Sequence, residues 1–100
     1  MQLPRSVMLR VRYALDRTAD LRTGRLQIDP RWLDCIEEAY TALPDDKRAF
    51  FRDLFIRRLS NDEILYNHFI ERTTLYAWRN EILTSVALRA AACGLIRVIE

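Results

Sequence analysis

Glycine and proline, the residues that most often interrupt regular structure, occur at only five positions of this 100-residue chain. They are Pro4, Gly24, Pro30, Pro44 and Gly94. Between these positions apolar residues recur three and four residues apart, which is the spacing of an amphipathic α-helix, and no segment shows the strict alternation of a strand. The sequence therefore predicts an all-α fold, a small bundle of five or six helices.

Local start and stop signals divide the expected bundle. Asp29 before Pro30 favours a helix start, because the aspartate caps the first turn and the proline ring already has a helical φ. Ser60 and Glu63 have the spacing of a capping box, which predicts another start. We expect one domain with four segments: a basic N-terminal helix and link at 1–28, with the helix over about 5–21, bracing helices at 30–58, a helix-turn-helix at 60–83 and a C-terminal helical extension at 84–100.

Composition excludes several classes of protein. Half of the residues are hydrophobic and 30% are charged, which is the balance of a globular domain and not of a disordered segment. No apolar run approaches the roughly 18 to 20 residues that a membrane-spanning helix needs. Arg10 and Arg12 fall where the apolar core of a signal peptide would have to lie. We therefore expect a cytoplasmic protein with no membrane partner.

Groups that could carry catalysis or hold a metal are scarce. His68 is the only histidine, and no cysteine or acidic residue stands at metal-ligand spacing from it on a shared helix face. No serine has a histidine and an acid beside it, and there is no Gly-rich phosphate loop. Cys35 and Cys93 stand alone among apolar helical neighbours, so we interpret them as reduced, buried thiols in preference to a disulfide or a metal site. The sequence indicates a protein that is not an enzyme and has no cofactor.

Aromatic side chains recur at helical intervals, which favours a packed core over a platform for stacking bases. These residues are Trp32, Tyr40, Phe50, Phe51, Phe55 and Tyr66, and either His68 or Phe69 is also expected to face inward. The C-terminal segment, which includes Val98 and Ile99, is apolar on more than one face. It either closes this core or forms a surface for self-association.

Two short predicted helices, at 60–68 and 72–83, are separated by three or four residues and form the skeleton of a helix-turn-helix. In the second helix Leu75, Trp78 and Ile82 lie at i, i+3 and i+7 and make the inward stripe. The side chains expected to face outward are Arg72, Thr73, Tyr76, Ala77, Arg79 and Asn80. Arginine suits guanine, asparagine suits adenine, and threonine and tyrosine suit phosphates or a thymine methyl group. An ordinary solvent-exposed helix shows some of the same residue types.

The segment LSNDEILYNHFIERTTLYAWRNEIL resembles the helix-turn-helix in region four of bacterial sigma factors, and resembles still more the small phage regulators of late transcription, the ArpU and RinA group. The similarity covers about residues 40–95. The matching positions are 43–58 for the lead-in, Ser60, Glu63 and Ile64 for the first helix, and Ile70, Thr74, Tyr76, Trp78 and Arg79 for the second. This resemblance implies sequence-specific binding of double-stranded DNA by a transcriptional regulator of phage or prophage type.

The chain departs from that family at the turn. Phe69 stands where such turns usually have glycine, and Glu71 stands where the family has a serine N-cap. A bulky residue disfavours positive φ, so we expect a turn that is longer or differently shaped. Glu71 would interact favourably with the amino end of the helix dipole, but it would repel a phosphate placed there.

The positive charge is unevenly distributed. The net charge is +2, yet residues 1–31 carry +4 and residues 60–83 carry −2. Good DNA binders commonly make about six to ten phosphate contacts, which Arg72 and Arg79 cannot supply alone. Other basic residues must therefore help, and the candidates are arginines of residues 48–58 and of the amino-terminal segment, each of which is as readily explained as part of a solvated charged face. The candidate DNA-binding residues are Arg72, Thr73, Thr74, Tyr76, Arg79, Asn80, Arg57 and Arg58.

Two hypotheses follow. The first is a transcriptional regulator that reads the major groove of double-stranded DNA with the helix at 72–83, with RNA polymerase as a further partner. A homodimer is favoured, because many DNA-binding proteins pair to match two half-sites. The second is a protein-interaction module of helix-turn-helix ancestry that docks RNA polymerase, a sigma factor or a phage packaging protein. A basic band beside residues 72–80 would favour DNA, and a negative one would favour protein.

Overall fold

The computed structural model describes residues 3–96, which form six α-helices and no strand. The helices are α1 (Arg5–Asp16), α2 (Thr18–Arg22), α3 (Arg31–Thr41), α4 (Asp45–Phe51, continued by a π-helical turn at Arg52–Ile56), α5 (Asn61–His68) and α6 (Arg72–Ala92). The predicted all-α bundle of five or six helices is confirmed. Within residues 3–96 no helix is both long enough and apolar enough to span a bilayer.

The long helix α6 organises the core. Its inward stripe packs against α1 and α3, and α5 contacts its amino-terminal part. The buried residues of the stripe are Leu75, Ile82, Leu83, Val86, Ala87 and Ala90. Phe50, Phe51 and Phe55 fill the core from α4 and its π-helical turn. The rings of Phe51 and Phe55 lie 5.1 Å apart, and Phe50 meets Trp78 of α6 edge to face at 5.3 Å.

The N-terminal helix predicted over 5–21 is divided in two at Arg17. Thr18 is fully buried, and its hydroxyl donates to the carbonyl oxygen of Leu15 at 2.7 Å. The backbone N–H of Arg17 donates to Ala14 at 3.1 Å, which is the shorter spacing of a tightened turn. A buried threonine that bonds back to the preceding turn competes with the helical ladder, and this explains the break.

The capping box predicted at the start of α5 is confirmed, whereas α3 begins at Arg31 with Pro30 as its N-cap residue, one position later than predicted. Asp29 Oδ1 accepts from the backbone N–H of Arg31 at 3.0 Å. Ser60 Oγ accepts from the N–H of Glu63 at 3.2 Å, while the N–H of Ser60 donates to Glu63 Oε1 at 3.0 Å. Both donors that a capping box serves are therefore satisfied at the start of α5.

The helix that begins at Arg72 continues without interruption past Leu83 as far as Ala92. Beyond it Gly94 has a φ of +82°, and the N–H of Leu95 donates to Ala90 at 2.9 Å. This is the bond pattern that ends a helix with a left-handed glycine. The parts of the predicted segments at residues 1–2 and 97–100, including Val98 and Ile99, lie outside the described residues.

Most of the predicted aromatic core is found inside. Trp32 is buried and Tyr40 is half-buried against Phe51. Tyr66 was placed in the core wrongly, because 78% of its surface is exposed. α5 buries one residue fully, Ile64, and a side chain two positions further along a helix points to nearly the opposite face.

The two cysteines have different environments. Cys35 is buried on α3 with 5% exposure, whereas Cys93 follows the last residue of α6 and is exposed. The expectation that both are buried was wrong for Cys93, which is the C-cap residue of α6 and lies on the surface at the end of that helix. Both thiols are free, and their sulfur atoms lie 3.7 Å apart.

Alkylation should distinguish these thiols. Burial, followed by the hydrogen bond with Cys93, raises the pKa of Cys35 to about 12. A rise of that size lowers the thiolate fraction of Cys35 roughly a hundredfold or more at neutral pH. We expect iodoacetamide to label Cys93 first in the native protein, with peptide mapping by mass spectrometry as the measurement. Cys93→Ala should leave the native chain nearly unreactive, and equal labelling of both residues would contradict this arrangement.

Candidate nucleic-acid interface

α5 and α6 form a two-helix unit joined by three residues, Phe69, Ile70 and Glu71. Ile64 of α5 is buried in the same core as Leu75 of α6. His68 fixes the end of α5 to the π-helical turn, since its Nε2 lies 2.8 Å from Asp53 Oδ2 and its ring meets Phe50 edge-on. The short helix therefore braces the start of the long one.

The turn between these helices bends at Phe69, which has φ +52° and ψ +45°. The N–H of Ile70 donates back to the carbonyl of Leu65 at 3.3 Å, which closes the end of α5. Phe69 therefore adopts the positive φ that its size was expected to disfavour. A left-handed conformation costs a residue with a Cβ about 1–2 kcal/mol, and a cost of this size does not exclude the conformation. The ring of Phe69 is 91% exposed and packs against nothing that would add to this cost.

The outer face of the first half of α6 presents four exposed residues, Thr73, Tyr76, Ala77 and Asn80, which we call the exposed arc. The opposite face is anchored by Leu75 and Ile82, each with 1% exposure. Trp78 lies at the edge of the core and is half-buried. Because Leu75 and Ile82 are fixed inside, the arc has no freedom to rotate inward.

Three of the predicted contacts on α6 are not part of the arc: Arg72, which is exposed, and Thr74 and Arg79. Thr74 is half-buried, and so is Arg79. Arg79 Nε is buried and has no hydrogen-bond partner among residues 3–96, and the guanidinium lies 5.0 Å from the centre of the Tyr76 ring. The outward placement of Arg79 was wrong, because it follows buried Leu75 by four residues and precedes buried Leu83 by four, which puts it on the inward flank.

The predicted contacts before α5 differ in their bonding. Arg57 is exposed and pairs with Asp53 at 3.0 Å. Arg58 has a φ of +57°, and its Nη1 donates to the backbone oxygen of Asp16 at 2.8 Å. Arg58 therefore ties the end of the π-helical turn to α1, whereas Arg57 remains on the open surface.

Acidic residues partly neutralise the surface around α6. Arg72 Nη2 lies 2.9 Å from Asp62 Oδ1, and Lys47 Nζ lies 2.9 Å from Glu81 Oε2. Exposed pairs of this kind contribute only about 0–1 kcal/mol. Arg72 can therefore exchange Asp62 for a phosphate at little cost, while the exposed Glu71 keeps some negative potential at the amino end of α6.

Two groups were missed by prediction from the sequence. Exposed aromatic rings of Tyr66 and Phe69 flank the turn, although both residues were candidates for the interior. Three arginines far apart in sequence, Arg12, Arg58 and Arg79, line one pocket between α1 and α6. No local pattern could have signalled the pocket, because it depends on how α1 docks against α6. The exposure of Tyr66 could have been found from its half-turn offset from Ile64.

No protein-family model matches the chain, and no curated protein or solved structure is significantly similar to it. Residues 3–96 contain no group of three or more histidine, cysteine or acidic side chains placed to hold a metal ion. The function of this chain must therefore be inferred from the geometry and charges of the two-helix unit.

Phe69 provides a test of the turn. Phe69→Gly should raise the free energy of unfolding by up to about 1 kcal/mol, because glycine removes the left-handed strain but has a larger backbone entropy in the unfolded chain. Phe69→Ala removes the same exposed ring and keeps the Cβ, so it should give no such gain. Urea denaturation measures both. Equal stability of the two variants would show that the turn does not have this conformation.

Proposed function

We propose that this chain is a non-enzymatic transcriptional regulator of phage or prophage type that binds double-stranded DNA in a sequence-specific manner. The observation that carries the proposal is the exposed arc, which a buried stripe holds outward at the end of α6 that is braced by α5. A short bracing helix and a longer reading helix are the parts with which helix-turn-helix proteins enter the major groove.

The exposed arc suits direct reading of bases. The major groove, about 12 Å wide, admits an α-helix, and small Ala77 at the middle of the arc allows close approach. Asn80 can donate to and accept from adenine in a bidentate pair, and Thr73 can contact a phosphate or a thymine methyl group. Tyr76 is the residue of the arc that contacts Arg79, and its hydroxyl can contact a phosphate while its ring packs against the guanidinium.

Phosphate contacts in this proposal come from arginines around the arc. Arg57 and Arg72 are exposed, and each can exchange its acidic partner for a phosphate. These two are fewer than the roughly six to ten contacts of a strong binder. We therefore propose that two copies of the chain bind paired half-sites, which doubles the basic surface. RNA polymerase bound at a neighbouring promoter is the further partner that a regulator of this type would contact.

A second candidate function is docking onto a protein, for which RNA polymerase, a sigma factor and a phage packaging protein are the candidates. The observation that favours it is the pair of exposed aromatic rings at Tyr66 and Phe69, close in sequence to the exposed acidic residue Glu71. Exposed aromatic side chains are frequent anchors of protein interfaces. This candidate predicts that Phe69→Ser abolishes binding to purified RNA polymerase, and that the chain prefers no duplex sequence.

Selection of bound sequences from a random duplex pool tests the first proposal. The wild-type chain should enrich one motif, and Asn80→Ala should lose about 1–3 kcal/mol of discrimination at one base pair of that motif. Gln27→Ala, an exposed amide in the link before α3, is the matched control and should select the same motif with the same affinity. Failure of the wild-type chain to enrich any motif would refute the proposal.

Salt dependence tests the phosphate contacts separately. Arg57→Gln should weaken binding to every duplex alike and reduce the slope of log affinity against log salt by about 1, because one phosphate contact is lost. Fluorescence anisotropy with the selected duplex and with an unrelated one measures both effects. A change confined to the selected sequence would show that Arg57 contacts a base and not the backbone.

A further inference from the structure

A pocket of about 320 Å³ lies beside α6, on the flank that Arg79 shares with the Tyr76 edge of the exposed arc. Its polar lining comes from four parts of the chain: Arg12 and Asp16 of α1, Arg58 after the π-helical turn, Asn61 of α5 and Arg79 of α6. Its size falls at the small end of the range of roughly 300–1,000 Å³ that is usual for ligand pockets. We call it the arginine pocket.

The charges of the arginine pocket are not balanced. Three arginines and a single acidic residue, Asp16, line it. Arg58 donates to the backbone oxygen of Asp16, and none of the three arginines forms an ion pair with a carboxylate of residues 3–96. By contrast Arg22, on the outer surface, forms a bidentate pair with Glu37 at 2.7 and 2.9 Å.

The excess of positive charge is unfavourable for Arg79 in particular. Its Nε is buried and has no hydrogen-bond partner among the described residues. Burial, and then the positive charge of Arg12, lowers the pKa of Arg79, although an arginine stays protonated in proteins at neutral pH. A buried donor without an acceptor, beside like charges, is unfavourable until an anion supplies both acceptors and negative charge.

We propose that the arginine pocket binds a phosphate group, with Arg12, Arg58 and Arg79 donating to its oxygens. The three arginines that line the pocket come from α1, from the segment after the π-helical turn and from α6. A planar carboxylate is satisfied by one guanidinium fork, whereas a tetrahedral phosphate presents oxygens to all three. The amide of Asn61 is a further donor at the rim of the pocket.

A phosphate monoester and a phosphate of the DNA backbone share this chemistry. The site does not depend on the DNA-binding function, because it is formed by residues outside the exposed arc. If the phosphate belongs to DNA, the pocket fixes the position of the duplex beside α6. If it belongs to a small molecule, the pocket is a separate ligand site that contacts α6 through Arg79.

The first experiment follows thermal unfolding of the full chain during titration with inorganic phosphate at constant ionic strength, with chloride as the balancing anion. We expect saturable stabilisation of the wild-type chain. Arg12→Gln should weaken phosphate binding roughly tenfold or more, because one charge-assisted hydrogen bond is lost. Arg25→Gln removes the same charge from the exposed link before α3 and should leave phosphate binding unchanged.

The phosphate affinity of Asp16→Asn distinguishes an effect on the pocket from damage to the fold. Removing the single carboxylate of the pocket should make phosphate binding tighter, whereas a damaged fold would make it weaker. Stabilisation that does not saturate, or an equal loss in Arg12→Gln and Arg25→Gln, would overturn the proposal. So would an Asp16→Asn variant that binds phosphate no more tightly than the wild-type chain.

The same variants distinguish the two sources of phosphate. Arg12→Gln should weaken the binding of a random-sequence duplex as much as it weakens inorganic phosphate if the pocket holds the DNA backbone. If duplex binding is unchanged while inorganic phosphate binding falls, the phosphate belongs to a small molecule. Failure of the DNA proposal would appear as no enriched duplex, and the phosphate titration does not depend on that result.

Discussion

Burial of one face of α6 is the constraint on which the rest of the structure depends. This helix of 21 residues places a continuous apolar stripe against α1 and α3. Each large side chain of the stripe, such as Leu75 or Ile82, gains about 1.5–3 kcal/mol by leaving water. Rotating α6 to bury any other face would expose this stripe and bring Asn80 and Glu81 into the core. Packing of α6 therefore fixes the direction in which the exposed arc points. The core does not constrain which side chains occupy the arc, so these can serve a function.

The same constraint explains the distribution of charge around α6. One flank carries Glu81, paired with Lys47, and the other brings Arg79 toward α1 and into the arginine pocket. The two flanks therefore have opposite character. A duplex lying along the exposed arc would meet the arginine side on one edge and the acidic side on the other, which favours one approach over the reverse. The difference in charge between the two flanks would therefore orient a bound duplex on the arc, although the net charge of this surface is small.

Much of the fold could be predicted from the sequence, because its determinants are local. The capping box at Ser60, the aspartate before Pro30 and the inward stripe of α6 all depend on residues within a few positions of one another. The incorrect predictions concern residues whose environment depends on distant segments of the chain, or whose backbone adopts an unfavourable conformation. Arg79 was expected to face outward because its side chain is charged, but its position on the helix places it on the inward flank. Phe69 adopts a left-handed conformation that its size disfavours, and Arg12 meets Arg58 and Arg79 only after α1 docks on α6. The exposure of Thr73, Tyr76, Ala77 and Asn80 was predicted from the sequence, and the arginine pocket was not.

The most direct test of the central claim is to map, by NMR, the backbone amides that change when a selected duplex is added to the full chain. If the exposed arc enters the groove, the largest shifts should occur at Thr73, Tyr76, Ala77 and Asn80, with little change at the opposite end of α6 around Leu88. Shifts that leave this arc untouched and cluster on another surface, such as the exposed side chains of Leu9 and Tyr13 on α1, would contradict it.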